Sequence, residues 1–179
     1  SGSGKTTLLN IMSGLLKPAS GTVFVEGSDI YSLSTSERDD IRLNRIGMIF
    51  QEHSLIVDFT VRENVELILR VRGFGSRSRV MAIEALERVG IAHLQDRYPR
   101  QLSGGEAQRV GIARAIAGDR PILLADEPTG QLDRRNSQMV FELLRALAED
   151  EKGRTVVLSS HDPTAKEYAH RSCELVDGH

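Results

Sequence analysis

Apolar residues along this chain follow two patterns, one typical of buried strands and the other of amphipathic helices. Short, nearly continuous apolar runs occupy residues 46–50, 122–125 and 155–158, as expected for buried strands of a parallel sheet. Between the later runs, residues 139–147 place apolar side chains at helical spacing. Strands that alternate with helices in this way predict an α/β domain with a mainly parallel sheet.

The stretch from about Thr60 to Ala117 differs, because helical spacing continues there without an intervening strand. Thr60 and Glu63 form a capping box, in which two side chains satisfy the free amides at the start of a helix. A glycine-rich break at residues 73–76 separates two of the predicted helices. The pattern therefore predicts a helical insertion between strands of one sheet.

Shorter elements complete the predicted architecture. Residues 22–26, followed by a glycine turn, predict a small antiparallel piece. Residues 34–43 predict a helix that opens on a second capping box. Residues 162–163 open a late helix, and residues 173–176 predict a last strand.

Composition limits the classes of function. The 179 residues are 40% hydrophobic with a net charge of −2, so they can bury one core but give no electrostatic support for binding nucleic acid. No apolar run approaches the roughly 20 residues that a membrane-spanning helix requires, so any membrane role would need a partner. The single cysteine, Cys173, excludes an internal disulfide, and we interpret it as a small buried apolar residue.

The first seven residues, Ser1-Gly2-Ser3-Gly4-Lys5-Thr6-Thr7, precede an apolar helical stretch. They match the end of the phosphate-loop pattern G-x-x-x-x-G-K-[ST], whose leading glycine would precede residue 1. Backbone amides freed by the glycines would bind phosphate oxygens, Lys5 would reach the β- and γ-phosphates, and Thr6 would offer a hydroxyl to Mg²⁺. The alternative, a disordered Gly/Ser-rich start, is disfavoured by the Lys-Thr-Thr sequence and the helix that follows.

Two adjacent carboxylates, Asp126 and Glu127, end the apolar run 122–125. Parallel sheets bind ligands at the carboxyl ends of their strands, so a cation bound to nucleotide is expected there. Asp126 would hold Mg²⁺ or one of its waters, and Glu127 would polarise the attacking water as general base. The alternative is a helix-capping carboxylate before a turn at Pro128.

The segment Leu102-Ser103-Gly104-Gly105-Glu106 permits two compatible interpretations. Ser103 and Glu106 satisfy a third capping box, which explains the serine without any ligand. Gly104 and Gly105 are not explained in this way, because each glycine near the start of a helix costs about 1 kcal/mol relative to alanine. A closely approaching anion is one reason to keep them, since a helix N-terminus is itself an anion site.

These three elements, together with three further motifs, occur in the order typical of the ATP-binding-cassette (ABC) ATPases, which the chain resembles over essentially its whole length. In sequence order they are the phosphate loop, Gln51, Leu102-Ser103-Gly104-Gly105-Glu106, Asp126-Glu127, Leu132-Asp133 (similar to the family's D-loop) and His161. The resemblance implies ATP and Mg²⁺ as cofactors and ATP hydrolysis as the reaction.

The resemblance also implies an α/β fold, namely a P-loop NTPase (RecA-like) core with a mainly parallel sheet, a small antiparallel β piece and an inserted helical subdomain. The implied core comprises residues 1–56 and 118–179, and the helical subdomain comprises residues 57–117. The strand and the adenine-stacking aromatic that the family places before the phosphate loop are not among these residues. We therefore expect a domain truncated at both ends, with low stability and weak activity on its own.

Roles within the chain's own site follow from the same resemblance. The implied metal-binding residues are Thr6, Gln51 and Asp126, and the implied catalytic residues are Glu127, His161 and Gln51. Gln51 would sense Mg²⁺ or the attacking water, and His161 would donate a hydrogen bond to the γ-phosphate. Without the resemblance, Gln51 is equally well explained as a turn residue, and His161 is better explained as a partly buried histidine that caps the sheet.

A second subunit completes the site in ABC ATPases. The resemblance implies that Ser103, Gly104 and Gly105 contact ATP held by a partner in a head-to-tail dimer with two sites, and that Asp133 lies at the interface. It further implies a membrane-spanning permease as partner and a peripheral location at the cytoplasmic face of the inner membrane, with no nucleic acid expected.

Within the family, residues 124–130 and Glu63-Asn64-Val65 are similar to the branch that serves lipoprotein release and macrolide-type export. Gln131 and Ser160 depart from that branch, which usually carries asparagine and threonine at these positions. The chain is thus interpreted as the ATP-hydrolysing subunit of an ABC transporter.

Two other classes of function remain as alternatives. A soluble ABC ATPase acting on DNA, chromosomes or translation is disfavoured, because these residues contain neither a long heptad repeat nor a second cassette. A non-hydrolysing cassette with a structural or regulatory role is disfavoured by the presence of Glu127 together with His161.

Overall fold

Residues 3–175 of the chain are described by a computed structural model, which contains five strands and seven α-helices over that range. The strands are β1 (Phe24–Val25), β2 (Ser28–Asp29), β3 (Ile46–Ile49), β4 (Ile122–Asp126) and β5 (Thr155–Ser159). The helices are α1 (Lys5–Met12), α2 (Thr35–Arg45), α3 (Val61–Val71), α4 (Ser78–Arg88), α5 (Gly104–Ile116), α6 (Arg134–Ala148) and α7 (Ala165–Tyr168). Short 3₁₀ turns at Gly75–Arg77, Ala92–Leu94 and Pro99–Gln101 lie between α3 and α5.

The three predicted apolar strands form one parallel sheet in the order β3-β4-β5. Ile46 of β3 pairs with Ile122 of β4, which pairs in turn with Thr155 of β5. Because the strands are parallel and in register, their carboxyl ends share one edge of the sheet, where Asp126 pairs with Ser159. The predicted parallel sheet is confirmed, and its first strand ends at Ile49 rather than at residue 50.

The small antiparallel piece is also confirmed, although β1 and β2 are shorter than the predicted strand over residues 22–26. The predicted last strand is wrong for residues 173–175, which form no strand, and residue 176 lies outside the described range. No neighbouring strand in residues 3–175 pairs with this segment, and Cys173 is exposed rather than buried as expected.

Helix starts were predicted well, because all three capping boxes are formed. Ser34 with Glu37 caps α2, Thr60 with Glu63 caps α3, and Ser103 with Glu106 caps α5; each pair is closed by reciprocal hydrogen bonds. The late helix is shorter than its pattern suggested, since α7 comprises only four residues.

The core lies on both faces of the sheet. On one face, Val110 and Ile116 of α5 and Val140 of α6 share a buried cluster with Ile49 and Leu123 of the sheet. On the opposite face, Leu9 of α1 packs against Ile46 and Leu124. The last helix of the predicted insertion, α5, therefore lies directly on the sheet. No helix within residues 3–175 is both long and apolar enough to cross a lipid bilayer.

Candidate active site

The two predicted halves of the nucleotide site meet where α1 begins, beside the carboxyl end of β4. Gly4 caps α1 with φ 91°, a left-handed conformation that glycine adopts without steric cost. Lys5 Nζ lies 3.8 Å from Glu127 Oε1 and donates a hydrogen bond to Ser3 Oγ at 3.2 Å. The phosphate loop and the carboxylate pair, which are distant in sequence, thus form one cluster.

The carboxylate pair turns sharply out of the strand. Asp126 is the last residue of β4, whereas Glu127 has φ 46°, a left-handed conformation that is uncommon for a residue with a β-carbon. The Glu127 amide donates to both the carbonyl oxygen and Oγ of Ser159, each at 3.1 Å. The alternative of a helix cap before Pro128 does not hold for either carboxylate, because Asp133 caps the next helix, α6.

His161 contacts the other carboxylate oxygen of Glu127, Oε2. The ring nitrogen Nδ1 lies 2.8 Å from Glu127 Oε2, and the backbone amide of His161 donates to the same oxygen at 3.2 Å. The histidine side chain is 70% exposed, whereas that of Glu127 is only 15% exposed. His161 is therefore not the partly buried sheet cap that its sequence position alone favoured.

Gln51 and Thr6, two of the predicted metal-binding residues, are both exposed. Gln51 is exposed two residues beyond the end of β3, and a β-carbon at Gly130 would come within 3.0 Å of its Nε2 atom. Gln51 therefore borders the loop that follows Glu127. Thr6 and Thr7 are exposed in the first turn of α1, beside Lys5. Ser1 and Gly2 lie outside the described residues.

The residues predicted to contact a partner's ATP or to lie at the dimer interface form a second group around the start of α5. They are Ser103, Gly104, Gly105 and Asp133. The amide and hydroxyl of Ser103 donate to Glu106 Oε2 at 2.7 and 2.8 Å. These hydrogen bonds lower the pKa of Glu106 below its ordinary value. The hydrogen bonds between Ser103 and Glu106 confirm the capping interpretation. Ser103 and Gly104 are exposed, so the start of the helix is accessible to another molecule.

Gly105 has a steric role that its sequence context did not indicate. A β-carbon there would come within 2.5 Å of Asn136 Oδ1 in the first turn of α6. The Asn136 side chain is held in place by Asp133, since Nδ2 donates to Asp133 Oδ2 at 2.7 Å. Together with the Asn136 backbone amide, this bond lowers the pKa of Asp133. Close packing of two helix starts thus explains Gly105 without an anion.

Sequence reasoning missed two residues of these groups, Ser159 and Asn136. Ser159 Oγ donates to Asp126 Oδ1 at 2.7 Å, and Asn136 links Asp133 to the start of α5. Ser159 could have been found from the register of the apolar runs, because it ends the strand beside Asp126. The contact between Asn136 and Gly105 depends on helix packing and has no local signal.

Known proteins of similar sequence identify the family. Residues 1–130 match the protein family described as ABC transporter. The chain belongs to the ABC transporter ATP-binding family. The lipoprotein-releasing system ATP-binding protein LolD of Blochmanniella floridana is 46% identical over 172 residues, which cover 96% of this chain and 73% of that protein. The macrolide export ATP-binding/permease protein MacB 1/2 of Paracoccus denitrificans is 42% identical over 99% of this chain and 26% of that longer protein.

A solved structure extends the similarity to the fold of this ABC ATPase. The dimeric post-hydrolysis state of the ATP-binding cassette MJ0796, bound to ADP and Pi, superposes with a TM-score of 0.87 at 40% identity. The match covers 98% of this chain and 78% of that chain. The predicted α/β P-loop fold, ATP as ligand and membership of a hydrolysing enzyme family are confirmed.

Proposed function

We propose that this ABC ATPase hydrolyses ATP as half of a head-to-tail dimer and thereby drives a membrane-spanning permease. The observation that carries the proposal is the convergence of Lys5 and His161 on opposite oxygens of Glu127, at 3.8 and 2.8 Å. A carboxylate held in this way beside a phosphate loop is suited to accept a proton from an attacking water.

Within the chain, each residue has a distinct part in this proposal. Glu127 acts as general base, with its orientation set by the left-handed backbone and the contact to His161. The ammonium group of Lys5 lies between the carboxylate and its own loop, so it can neutralise charge on the β- and γ-phosphates. His161 contacts the carboxylate through Nδ1, and in this proposal its ring donates a hydrogen bond to the γ-phosphate.

The residues proposed to bind metal fit Mg²⁺ accompanied by nucleotide. Among residues 3–175, no group of three or more His, Cys, Asp or Glu side chains is arranged to hold a metal ion. The Thr6 hydroxyl, the Gln51 amide and the Asp126 carboxylate provide a sparse oxygen set, and Mg²⁺ commonly combines such a set with waters and substrate phosphates. When bound, Mg²⁺ would neutralise developing charge on the phosphates.

A second copy supplies the remaining contacts in this proposal. The start of α5 is exposed at Ser103 and Gly104, and its unpaired amides and dipole favour a phosphate group. Asp133 is exposed on the adjoining helix start and is tied to α5 through Asn136 and Gly105. A partner's γ-phosphate placed at Ser103 and Gly104 would make turnover depend on pairing.

The membrane partner and location are proposed from the relatives. Two of them carry the names of a lipoprotein-releasing system and of a macrolide export ATP-binding/permease protein. We infer that this chain also works on a permease, at the cytoplasmic face of the inner membrane. Co-purification with a membrane-spanning subunit would test this inference. If no membrane-spanning subunit co-purifies and ATP hydrolysis is retained, the alternative of a soluble ABC ATPase would be favoured.

Phosphate release by the full chain carrying Glu127→Gln tests the catalytic proposal. We expect turnover to fall by on the order of 10²-fold or more, with ATP binding retained, because general base catalysis is lost. Glu142→Gln is the matched control, since Glu142 is exposed on α6. Turnover at the wild-type rate in the Glu127→Gln variant would show that Glu127 is not the base.

A further inference from the structure

Ser159 connects the two acidic residues of the site through one buried hydroxyl. It is the last residue of β5, pairs with Asp126 across the parallel sheet and is only 7% exposed. Its Oγ donates to Asp126 Oδ1 at 2.7 Å and accepts from the Glu127 amide at 3.1 Å. A hydroxyl has a single hydrogen, so its one donated bond goes to Asp126.

The bond to Asp126 orients the carboxylate relative to the proposed metal position. Oδ1 accepts the hydrogen bond from Ser159, which fixes the rotation of the carboxylate and favours Oδ2 as the oxygen that faces a cation at the edge of the sheet. A hydrogen bond to an ionised carboxylate is short and strong compared with a neutral one. Partners that orient metal ligands in this way commonly change metal affinity by about 10- to 100-fold when they are removed.

The bond from Glu127 stabilises an unfavourable backbone conformation. Residues with a β-carbon rarely adopt a φ of 46°, and this strained conformation persists only when surrounding contacts hold it. Both acceptors of the Glu127 amide belong to Ser159, one in the backbone and one in the side chain. The same serine therefore holds the turn that directs Glu127 toward Lys5 and His161.

We propose that Ser159 is a positioning residue of the ATPase site, whose hydroxyl orients Asp126 toward Mg²⁺ and holds the backbone turn at Glu127. The inference rests on the roles proposed above for Asp126 and Glu127. The Ser159 hydroxyl is buried and bonded to Asp126 and Glu127, so its removal is expected to change divalent-ion affinity and turnover while leaving metal-free ATP binding unchanged.

The neighbouring serine provides a matched control. Ser160 Oγ accepts a hydrogen bond from the Asp162 amide at 3.0 Å, so its hydroxyl serves a local turn rather than the carboxylate pair. Ser160→Ala removes the same atom one residue away. Ser159→Thr is the conservative rescue, because it keeps the hydroxyl and a side chain suited to a strand.

The test uses the full chain with Mn²⁺ as a paramagnetic probe, titrated by electron paramagnetic resonance in the presence of a non-hydrolysable ATP analogue. We expect Ser159→Ala to weaken Mn²⁺ binding by about tenfold, with a matching rise in the Mg²⁺ concentration needed for half-maximal turnover. Ser159→Thr should recover most of this loss, and Ser160→Ala should bind Mn²⁺ as the wild type does. Binding of the analogue in EDTA should be equal in all variants.

Two outcomes would overturn the role of Ser159. One is Mn²⁺ affinity in Ser159→Ala within twofold of wild type while Asp126→Asn weakens it strongly. The other is an equal loss in Ser159→Ala and Ser160→Ala accompanied by equal drops in melting temperature, which would indicate a purely structural effect. If Asp126→Asn itself leaves Mn²⁺ binding unchanged, the proposed metal role of Asp126 is wrong, and this failure is separate from the first.

Discussion

Gly105→Ala should reduce ATP turnover strongly while changing stability little. The added methyl group meets the side chain of Asn136, which is hydrogen-bonded to Asp133, a residue proposed to lie at the dimer interface. The new β-carbon would lie 2.5 Å from Asn136 Oδ1 and 2.9 Å from Asn136 Cγ. The Asn136 side chain must then rotate away, which breaks its 2.7 Å hydrogen bond to Asp133. The side chain that links the two helix starts is thereby displaced.

The expected change in unfolding free energy is small, because two effects oppose each other. Losing the hydrogen bond costs about 1 kcal/mol, and alanine in a helix gains up to about 1 kcal/mol over glycine. We therefore expect a melting temperature within about 4 °C of wild type. Turnover should fall more than tenfold, since displacements of about 1 Å at a site that must meet a phosphate have large effects on rate.

Phosphate release and thermal unfolding of the full chain test this prediction, with Gly111→Ala as the control in the same helix. A β-carbon at Gly111 finds its nearest neighbour, the carbonyl oxygen of His53, at 3.9 Å, so turnover should persist and stability should rise slightly. The double variant Gly105→Ala/Asn136→Ala should behave like Asn136→Ala alone, because the clash is gone. Wild-type turnover in Gly105→Ala, or a double variant that is clearly less active than Asn136→Ala alone, would refute the steric reasoning.

The remaining predictions concern the capped start of α5. Ser103→Arg should abolish turnover while leaving ATP binding by the single chain largely intact, because the exposed serine is proposed to meet a partner's ATP; equal loss of both in equilibrium binding and phosphate-release assays would indicate a structural role only. Glu106→Gln tests the pH dependence of stability. Hydrogen bonds from Ser103 lower the pKa of Glu106 in the folded state. The ionised carboxylate therefore stabilises the fold above the unfolded pKa, and this stabilisation is lost as the pH falls through the folded-state pKa. The melting temperature of wild type should exceed that of Glu106→Gln by about 1–2 °C at pH 6. This difference should shrink as the pH falls below the unfolded pKa of glutamate, whereas a difference that widens in acid would contradict the assignment.

Local sequence patterns predicted which helices and strands are present better than they predicted where each one ends. Apolar runs located all three strands of the parallel sheet, and Ser/Thr–Glu pairs located the starts of α2, α3 and α5, because strand burial and helix capping depend on residues close in sequence. The expected strand at residues 173–176 failed over residues 173–175, since a strand requires a neighbour to receive its hydrogen bonds. The division into a core and a helical subdomain stays a prediction.

The ordered motifs identified the candidate site residues, but not the contacts that hold them in place. Lys5 and His161 were expected to contact the γ-phosphate and Glu127 the attacking water, and the structure places Lys5 and His161 beside the Glu127 carboxylate. Ser159 and Asn136 were not anticipated, because their contacts depend on strand register and helix packing. The roles assigned to these residues stay predictions until the variants are measured.

A second cation lies at the amino-terminal edge of the sheet, and it shows that charge alone does not distinguish a structural residue from one proposed to bind nucleotide. Arg120, just before β4, is only 4% exposed and donates to the carbonyl oxygens of Leu43, Arg114 and Ala115, each at 3.1 Å. Burial lowers the pKa of Arg120 to about 10, aided by the nearby charges of Arg72 and Arg114. Its positive charge faces the last carbonyls of α5, where the negative end of the helix dipole is located. A buried cation at this edge therefore holds helix ends, whereas Lys5 at the carboxyl edge remains 27% exposed and faces a carboxylate. The burial of each cation, its partners and its position relative to the strand ends distinguish the two, and all three are set by the folded sheet.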